Sequence, residues 1–108
     1  MFVMNEEGKK FDLKEGIHST IKGFGGGLMA VENKFEEGAF APDHKHMHEQ
    51  IAYIVSGEFE FSLNGEKRLL KAGDSLYAAP EEEHGCVCIK AGTVLDVFSP
   101  QREDFLQR

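Results

Sequence analysis

The chain has 108 residues, of which 41% are hydrophobic and 29% charged, and its formal net charge is −7 at pH 7. This length is typical of one domain, so we expect a single domain over residues 1–108. The excess of acidic residues disfavours nucleic acid and anionic membrane surfaces as partners.

No apolar run approaches the ~20 residues that cross a bilayer, and the densest run, residues 51–55, has the length of a strand. The first residues lack the basic and apolar regions of a secretory signal, which favours a cytoplasmic protein. Cys86 and Cys88 are two residues apart and would share one face of a strand. Two cysteines are too few for a disulfide framework, and we favour two buried small hydrophobic residues over a reactive thiol pair.

Short segments with alternating polarity, most of them ended by glycine, recur along the chain. Phe59, Phe61 and Leu63 share one face of such a segment and belong to the core or to a dimer interface. Asn64 and Gly65 then provide a tight hairpin turn. We predict strands over residues 29–35, 39–46, 50–55, 58–63, 66–70, 75–79, 86–90 and 94–98.

Many short strands with frequent turns are typical of an all-β antiparallel sandwich or small barrel. The three glycines of residues 25–27 lack the strand and helix of a nucleotide-binding loop, so we expect a bend there. A short C-terminal helix is also expected, with Ser99 as its N-cap and Pro100 in its first position. Phe105 and Leu106 would form its apolar contact.

Three of the five histidines, His44, His46 and His48, occupy alternate positions. On a strand they would face one way with neighbours about 6.6 Å apart, close enough for two imidazoles to share an ion. Gln50 has the same parity, but a straight strand would hold it about 13 Å from His46. If His46 and Gln50 share a metal, the chain must therefore turn near His48 and Glu49.

Isolated histidines more often form ordinary hydrogen bonds than bind metals. Here, however, three occur at alternating spacing, and His84 follows a loop that begins with proline. A metal site is therefore the favoured interpretation. Imidazole nitrogens with an amide oxygen suit Zn, Ni, Mn or Fe, and such neutral ligands discriminate poorly among these metals.

Two segments resemble the sequence motifs of the cupins. Residues 38–57 resemble G-x5-H-x-H-x3-E-x6-G, and residues 73–80 with His84 resemble the second motif. The resemblance implies a jelly-roll barrel (double-stranded β-helix), commonly dimeric, in which His44, His46, residue 50 and His84 converge at the barrel mouth. Most metal cupins carry Glu where this chain has Gln50. A neutral amide would leave a divalent ion its full +2 charge and make it a stronger electrophile.

Residues 44–50, 57–61 and 95–106 resemble the KdgF type of cupin, which ketonises unsaturated uronates during pectin and alginate breakdown. This resemblance implies a metal-dependent isomerase that opens 4,5-unsaturated monouronates to linear 5-keto uronates, with a small anionic sugar acid as substrate. It implies that Asp96 is the general acid/base, that Arg102 binds a carboxylate and that Phe98 walls the pocket. His48 would bind substrate, support the ligands from behind or lie on the surface.

Simpler roles remain open for these residues: Asp96 in a turn or salt bridge, and Arg102 on a solvated helix. Two other functions fit the same ligands. One is an Fe or Mn dioxygenase, and the other is a non-catalytic cupin that binds a metal or a sugar acid.

Overall fold

The alternating segments form β-strands in the computed structural model, which describes residues 1–108. Ten strands precede one short helix. In chain order these are β1 (Lys10–Lys14), β2 (Ile17–Gly25), β3 (Leu28–Phe35), β4 (Phe40–His44), β5 (Glu49–Ile54), β6 (Glu58–Leu63), β7 (Glu66–Lys71), β8 (Ser75–Ala78), β9 (His84–Lys90), β10 (Gly92–Ser99) and α1 (Glu103–Leu106). No helix has the length and apolar character needed to cross a membrane.

The strands form two antiparallel sheets. One has six strands in the order β1-β2-β3-β10-β5-β8, and the other has four in the order β4-β9-β6-β7. The sequence prediction of an all-β, antiparallel jelly-roll fold is confirmed. In both sheets, strands distant in sequence pair side by side, as β10 does between β3 and β5.

Inward-facing side chains of the two sheets form the core. Phe59 and Ile54 are fully buried, and Phe35 meets Phe59 edge to face with ring centroids 5.1 Å apart. Cys86 and Cys88 are buried and unpaired, as expected for small hydrophobic residues. Phe59 and Phe61 belong to this core rather than to an outer interface.

Several predicted elements differ from the structure. The strand predicted over residues 39–46 ends at His44, and β1 and β2 are absent from the sequence prediction. The helix begins later than predicted, because Ser99 closes β10 and Arg102, not Ser99, is the N-cap residue. The predicted glycine bend is confirmed, since Gly26 takes a positive φ of 51° in the turn between β2 and β3.

Gly57, the last residue of the first cupin-like motif, has a φ of +84° and lies against the backbone of the β9–β10 connection. A Cβ there would be 2.6 Å from Lys90 O and 2.7 Å from Gly92 Cα. Because backbone atoms cannot rotate away, Gly57→Ala is expected to lower the free energy of unfolding by about 4 kcal/mol, combining strain and overpacking. Gly65 is the matched control, with a φ of +86° and open space around it.

Gly65→Ala should cost only the strain of positive φ, about 1 kcal/mol. Urea denaturation of both variants measures the difference. Equal destabilisation by the two substitutions would show that close packing at Gly57 does not contribute.

Candidate metal centre and active-site cavity

A cavity of about 300 Å³ lies between the two sheets, with residues of both in its walls. Its lining includes six of the side chains for which the sequence predicts a function, namely His44, Gln50, His84, Asp96, Phe98 and Arg102. Phe35, Phe61 and Phe105 contribute apolar surface. An apolar pocket with a few convergent polar groups is the usual form of a small-molecule site.

Strand pairing brings two histidines into this cavity. His44 ends β4, His84 begins β9, and the two are register partners with ring centroids 4.5 Å apart. His46 follows β4 outside regular structure, and its ring centroid lies 4.9 Å from that of His84. The candidate ligand atoms of these three residues all lie within 4.8 Å of one another.

Backbone carbonyls fix the protonation pattern of the three rings. The Nδ1 atoms of His44, His46 and His84 donate to the carbonyl oxygens of Pro42, His48 and Glu82, at 2.9, 2.8 and 2.9 Å respectively. Since a carbonyl only accepts, each Nδ1 carries a proton, and a neutral ring then has its lone pair on Nε2. Such carbonyl partners are typical of metal-binding histidines.

Burial favours the neutral form of two of these rings. It lowers the pKa of His46 and also that of His84, and the Arg102 guanidinium lowers the pKa of both further. His84 is 3% exposed and is the most enclosed of the three.

Gln50, on β5, is the fourth candidate ligand. Its Oε1 lies 3.0 Å from Nε2 of both His46 and His84, while its Nε2 donates to Asp96 Oδ1 at 2.8 Å. The carboxylate only accepts, so the amide oxygen must face the imidazoles. Acceptor atoms with no proton between them therefore face one another, an arrangement that a cation would stabilise.

The two distances from the Gln50 oxygen fit those between neighbouring ligands of one divalent metal. Two ligands about 2.1 Å from one ion and about 90° apart lie about 3.0 Å from each other. The Gln50 oxygen has this separation from both Nε2 atoms. Three imidazole nitrogens and one amide oxygen form a neutral donor set that suits transition metals.

Asp96 lies behind Gln50 on β10 and is 8% exposed. Its Oδ2 accepts from Asn33 Nδ2 at 2.6 Å, and Asn33 Oδ1 accepts from the Ser19 hydroxyl. Burial raises the pKa of Asp96 to about 6, against the opposing hydrogen bonds from Gln50 and Asn33.

The sequence prediction missed Ser19 and Asn33. Both are polar residues at inward-facing positions of otherwise apolar strand faces, where burial requires a hydrogen-bonding partner. That pattern is the signal that could have found them. Asn33 lies within the strand predicted over residues 29–35, whereas finding Ser19 requires recognising β2 as a strand.

Arg102 closes one side of the cavity. Its guanidinium carbon lies 5.0 Å from the ring centroid of Phe98 and 4.1 Å from that of Phe105. Its Nε and Nη2 donate to the two carboxylate oxygens of Asp104, at 3.0 and 2.9 Å. Arg102 is therefore not the freely solvated helix residue that the simpler interpretation would require, since its side chain is only 15% exposed.

His48 does not join the other histidines. It lies in the bend before β5, where the sequence predicts that the chain must turn. Its ring is edge-on to those of His46 and Phe98, with ring centroids 5.6 and 6.4 Å apart. Its Nδ1 is buried without a hydrogen-bond partner. His18 does not contact the histidine cluster; its two ring nitrogens are hydrogen-bonded to Asp12 and Glu36.

Residues 32–98 match the family described as the Cupin domain. With two antiparallel sheets and a histidine cluster between them, the chain belongs to the cupins. It is 43% identical over 107 residues to the pectin degradation protein KdgF of Dickeya dadantii (strain 3937), with 97% of each chain covered, and belongs with KdgF within that family.

Two solved structures are similar over nearly their whole length. KdgF from Halomonas sp. shares 41% identity, with a TM-score of 0.91 and 97% of each chain covered. An RmlC-like cupin from Shewanella frigidimarina NCIMB 400 shares 40% identity, with a TM-score of 0.92, and the match covers 96% of this chain and 94% of that one. These likenesses confirm the cupin assignment made from the sequence motifs.

Proposed function

We propose that the protein is a metal-dependent isomerase that converts 4,5-unsaturated monouronates from pectin or alginate breakdown to linear 5-keto uronates. The observation that carries this proposal is the contact between Gln50, a candidate metal ligand, and Asp96, a buried carboxylate. It brings a candidate acid/base directly beside a candidate electrophile. The likeness to KdgF proteins, one of them named for pectin degradation, supports the same substrate class.

His44, His46, Gln50 and His84 are the proposed ligands of one divalent ion, which would be Zn, Ni, Mn or Fe. When bound, the ion would act as a Lewis acid that stabilises negative charge developing on a substrate oxygen. The neutral donors leave its +2 charge uncompensated, which suits an anionic substrate.

The proposed reaction moves one proton and leaves the atom count unchanged. Asp96, as its carboxylate, takes the proton from the hydroxyl at C1 while the bond between C1 and the ring oxygen breaks. C1 becomes an aldehyde, and the ring oxygen remains on C5 as an enolate. Asp96 then delivers the proton to C4, which converts the C4–C5 double bond to a C5 ketone.

Phe98 and Arg102 have proposed roles in holding the substrate. The ring of Phe98 would form the apolar wall, and the guanidinium would pair with the substrate carboxylate. His48, edge-on to Phe98, would support that wall and contact substrate at the rim. These roles are supported by the shared cavity of Phe98 and Arg102 and by the contact of His48 with Phe98.

Arg102→Lys is expected to raise KM about 10-fold with a smaller change in kcat. Lysine cannot form the paired hydrogen bonds to a carboxylate or stack on the rings of Phe98 and Phe105. Steady-state kinetics measure this. Arg68→Lys is the matched control, since Arg68 also pairs with a carboxylate two residues away but is 74% exposed. A wild-type KM in Arg102→Lys would contradict the role in substrate binding.

The proposed activity is tested with monouronates released by a pectate or alginate lyase. The reaction is followed by the decay of the absorbance of the conjugated double bond and, in parallel, by NMR. The linear 5-keto product should form only with protein present. Oxygen uptake would instead favour a dioxygenase. Binding of the sugar acid with no turnover, in protein loaded with each metal in turn, would favour a non-catalytic cupin.

A cytoplasmic, single-domain homodimer is also proposed. The two unpaired cysteines support a reducing compartment. Ile51, Tyr53 and Tyr77 are 48%, 44% and 52% exposed on the outer face of the six-stranded sheet, and this apolar surface supports contact with a second copy of the chain.

A further inference from the structure

Four polar side chains cross the apolar interior of the six-stranded sheet. They come from adjacent strands β2, β3, β10 and β5, and each is at most 8% exposed. They are Ser19, Asn33, Asp96 and Gln50. We call this set the polar chain.

The polar chain has a fixed direction. The Asp96 carboxylate only accepts, so Asn33 and Gln50 must both turn their NH2 groups towards it. The oxygen of Asn33 is then free to accept a hydrogen bond from the Ser19 hydroxyl. The oxygen of Gln50 is left facing His46 and His84.

We propose that Ser19, Asn33 and Asp96 are positioning residues that hold the Gln50 amide with its oxygen towards the metal. The same contact accounts for an amide at position 50, where most metal cupins have a carboxylate. A glutamate there would place a carboxylate oxygen against Asp96 Oδ1, now 2.8 Å from the Gln50 nitrogen, with no proton between them. The inference rests on the metal site of the proposed function, but not on the uronate reaction.

The first test removes one donor to Asp96. Asn33→Leu has nearly the same side-chain shape but cannot bond Asp96 or Ser19. Affinity for Zn²⁺, measured by calorimetry, is expected to fall about 10-fold or more. In NMR spectra of the metal-free protein, the side-chain NH2 signals of Gln50 should move towards those of a solvated glutamine.

Ile17→Val is the matched control, because Ile17 is fully buried on β2, two residues before Ser19 and on the same face. It should lower the melting temperature and leave Zn²⁺ affinity and the Gln50 signals unchanged. If Asn33→Leu lowers only the melting temperature as well, the positioning role is overturned.

The second test exchanges donor and acceptor. In Asp96→Asn, the new amide has one oxygen, which cannot accept hydrogen bonds from both Gln50 and Asn33 in the present geometry. In Gln50→Glu, two carboxylates face each other. In the double variant, the NH2 group introduced at position 96 can donate to the carboxylate introduced at position 50, while the amide oxygen at position 96 accepts from Asn33. Melting temperature and Zn²⁺ affinity are measured for both single variants and the double variant.

The double variant is expected to recover at least part of the loss in each single variant. Losses that simply add would overturn the pairing. Failure of the uronate reaction would leave these measurements unaffected. Failure to bind any metal would overturn the proposed metal site, while the Gln50 signals and the melting temperatures would still decide the pairing.

Discussion

His84→Ala is expected to abolish tight binding of a divalent metal and, with it, the proposed isomerase activity. His84 begins β9, and its Nε2 lies 3.0 Å from the Gln50 oxygen. Alanine would remove one of four proposed donors and leave a space inside the cavity. Affinity should fall by about 100-fold or more, beyond the loss usual for an indirect partner of a ligand.

Elemental analysis of the purified variant and calorimetric titration with Zn²⁺, Ni²⁺ and Mn²⁺ measure this loss. His18→Ala is the control, since His18 is a histidine that bonds only to the two carboxylates of Asp12 and Glu36. Its metal content should match the wild-type protein. A His84→Ala variant that keeps a full equivalent of metal would rule out the proposed ligand set.

The second half of the chain is the more predictable from sequence. In β6 and β7, strict alternation and a turn at Asn64 and Gly65 determine register locally, and β6 has the predicted bounds. The missed strands β1 and β2 are less regular. Register shifts interrupt their pairing, and Gly23 and Gly25 weaken the alternation in β2.

The prediction of the C-terminal helix is wrong at its start because local signals compete with long-range pairing. Ser99 and Pro100 match a helix start, but Ser99 pairs with Glu49 as the last residue of β10. A ladder partner so distant in sequence cannot be inferred from capping preferences alone.

The proposed metal ligands are predictable because three of the four lie close together in sequence, where spacing constrains geometry. The polar chain cannot be predicted in this way, since Asn33 and Asp96 are 63 residues apart in sequence. Such contacts depend on which strands become neighbours in the sheet. The family resemblance supplied Asp96, whereas the simpler interpretation as a turn or salt-bridge carboxylate is not what its buried contacts show.

The charge distribution reconciles an acidic protein with an anionic substrate. The net charge of −7 repels large polyanions from the protein surface. At the cavity, the proposed metal donors His44, Gln50 and His84 would bind the ion as neutral ligands, and Arg102 is a cation. A bound divalent ion would make this cavity locally positive.

Asp96→Asn is expected to reduce kcat by roughly 10²–10⁴-fold, the usual contribution of a general acid/base. An amide of nearly the same shape cannot take the proton from the C1 hydroxyl or return it to C4. The single variant also disturbs Gln50, because Asp96 is the acceptor that orients the Gln50 amide. A loss of activity in this variant alone therefore does not separate proton transfer from metal binding.

The double variant Gln50→Glu with Asp96→Asn separates the two effects. If it binds Zn²⁺ but turns over unsaturated uronate no faster than Asp96→Asn, loss of metal binding is not the cause of the lost activity. Rates are compared at saturating metal, by the decay of the double-bond absorbance. Turnover near the wild-type rate in either variant would contradict the role of Asp96, because neither retains a carboxylate at that position to move the proton.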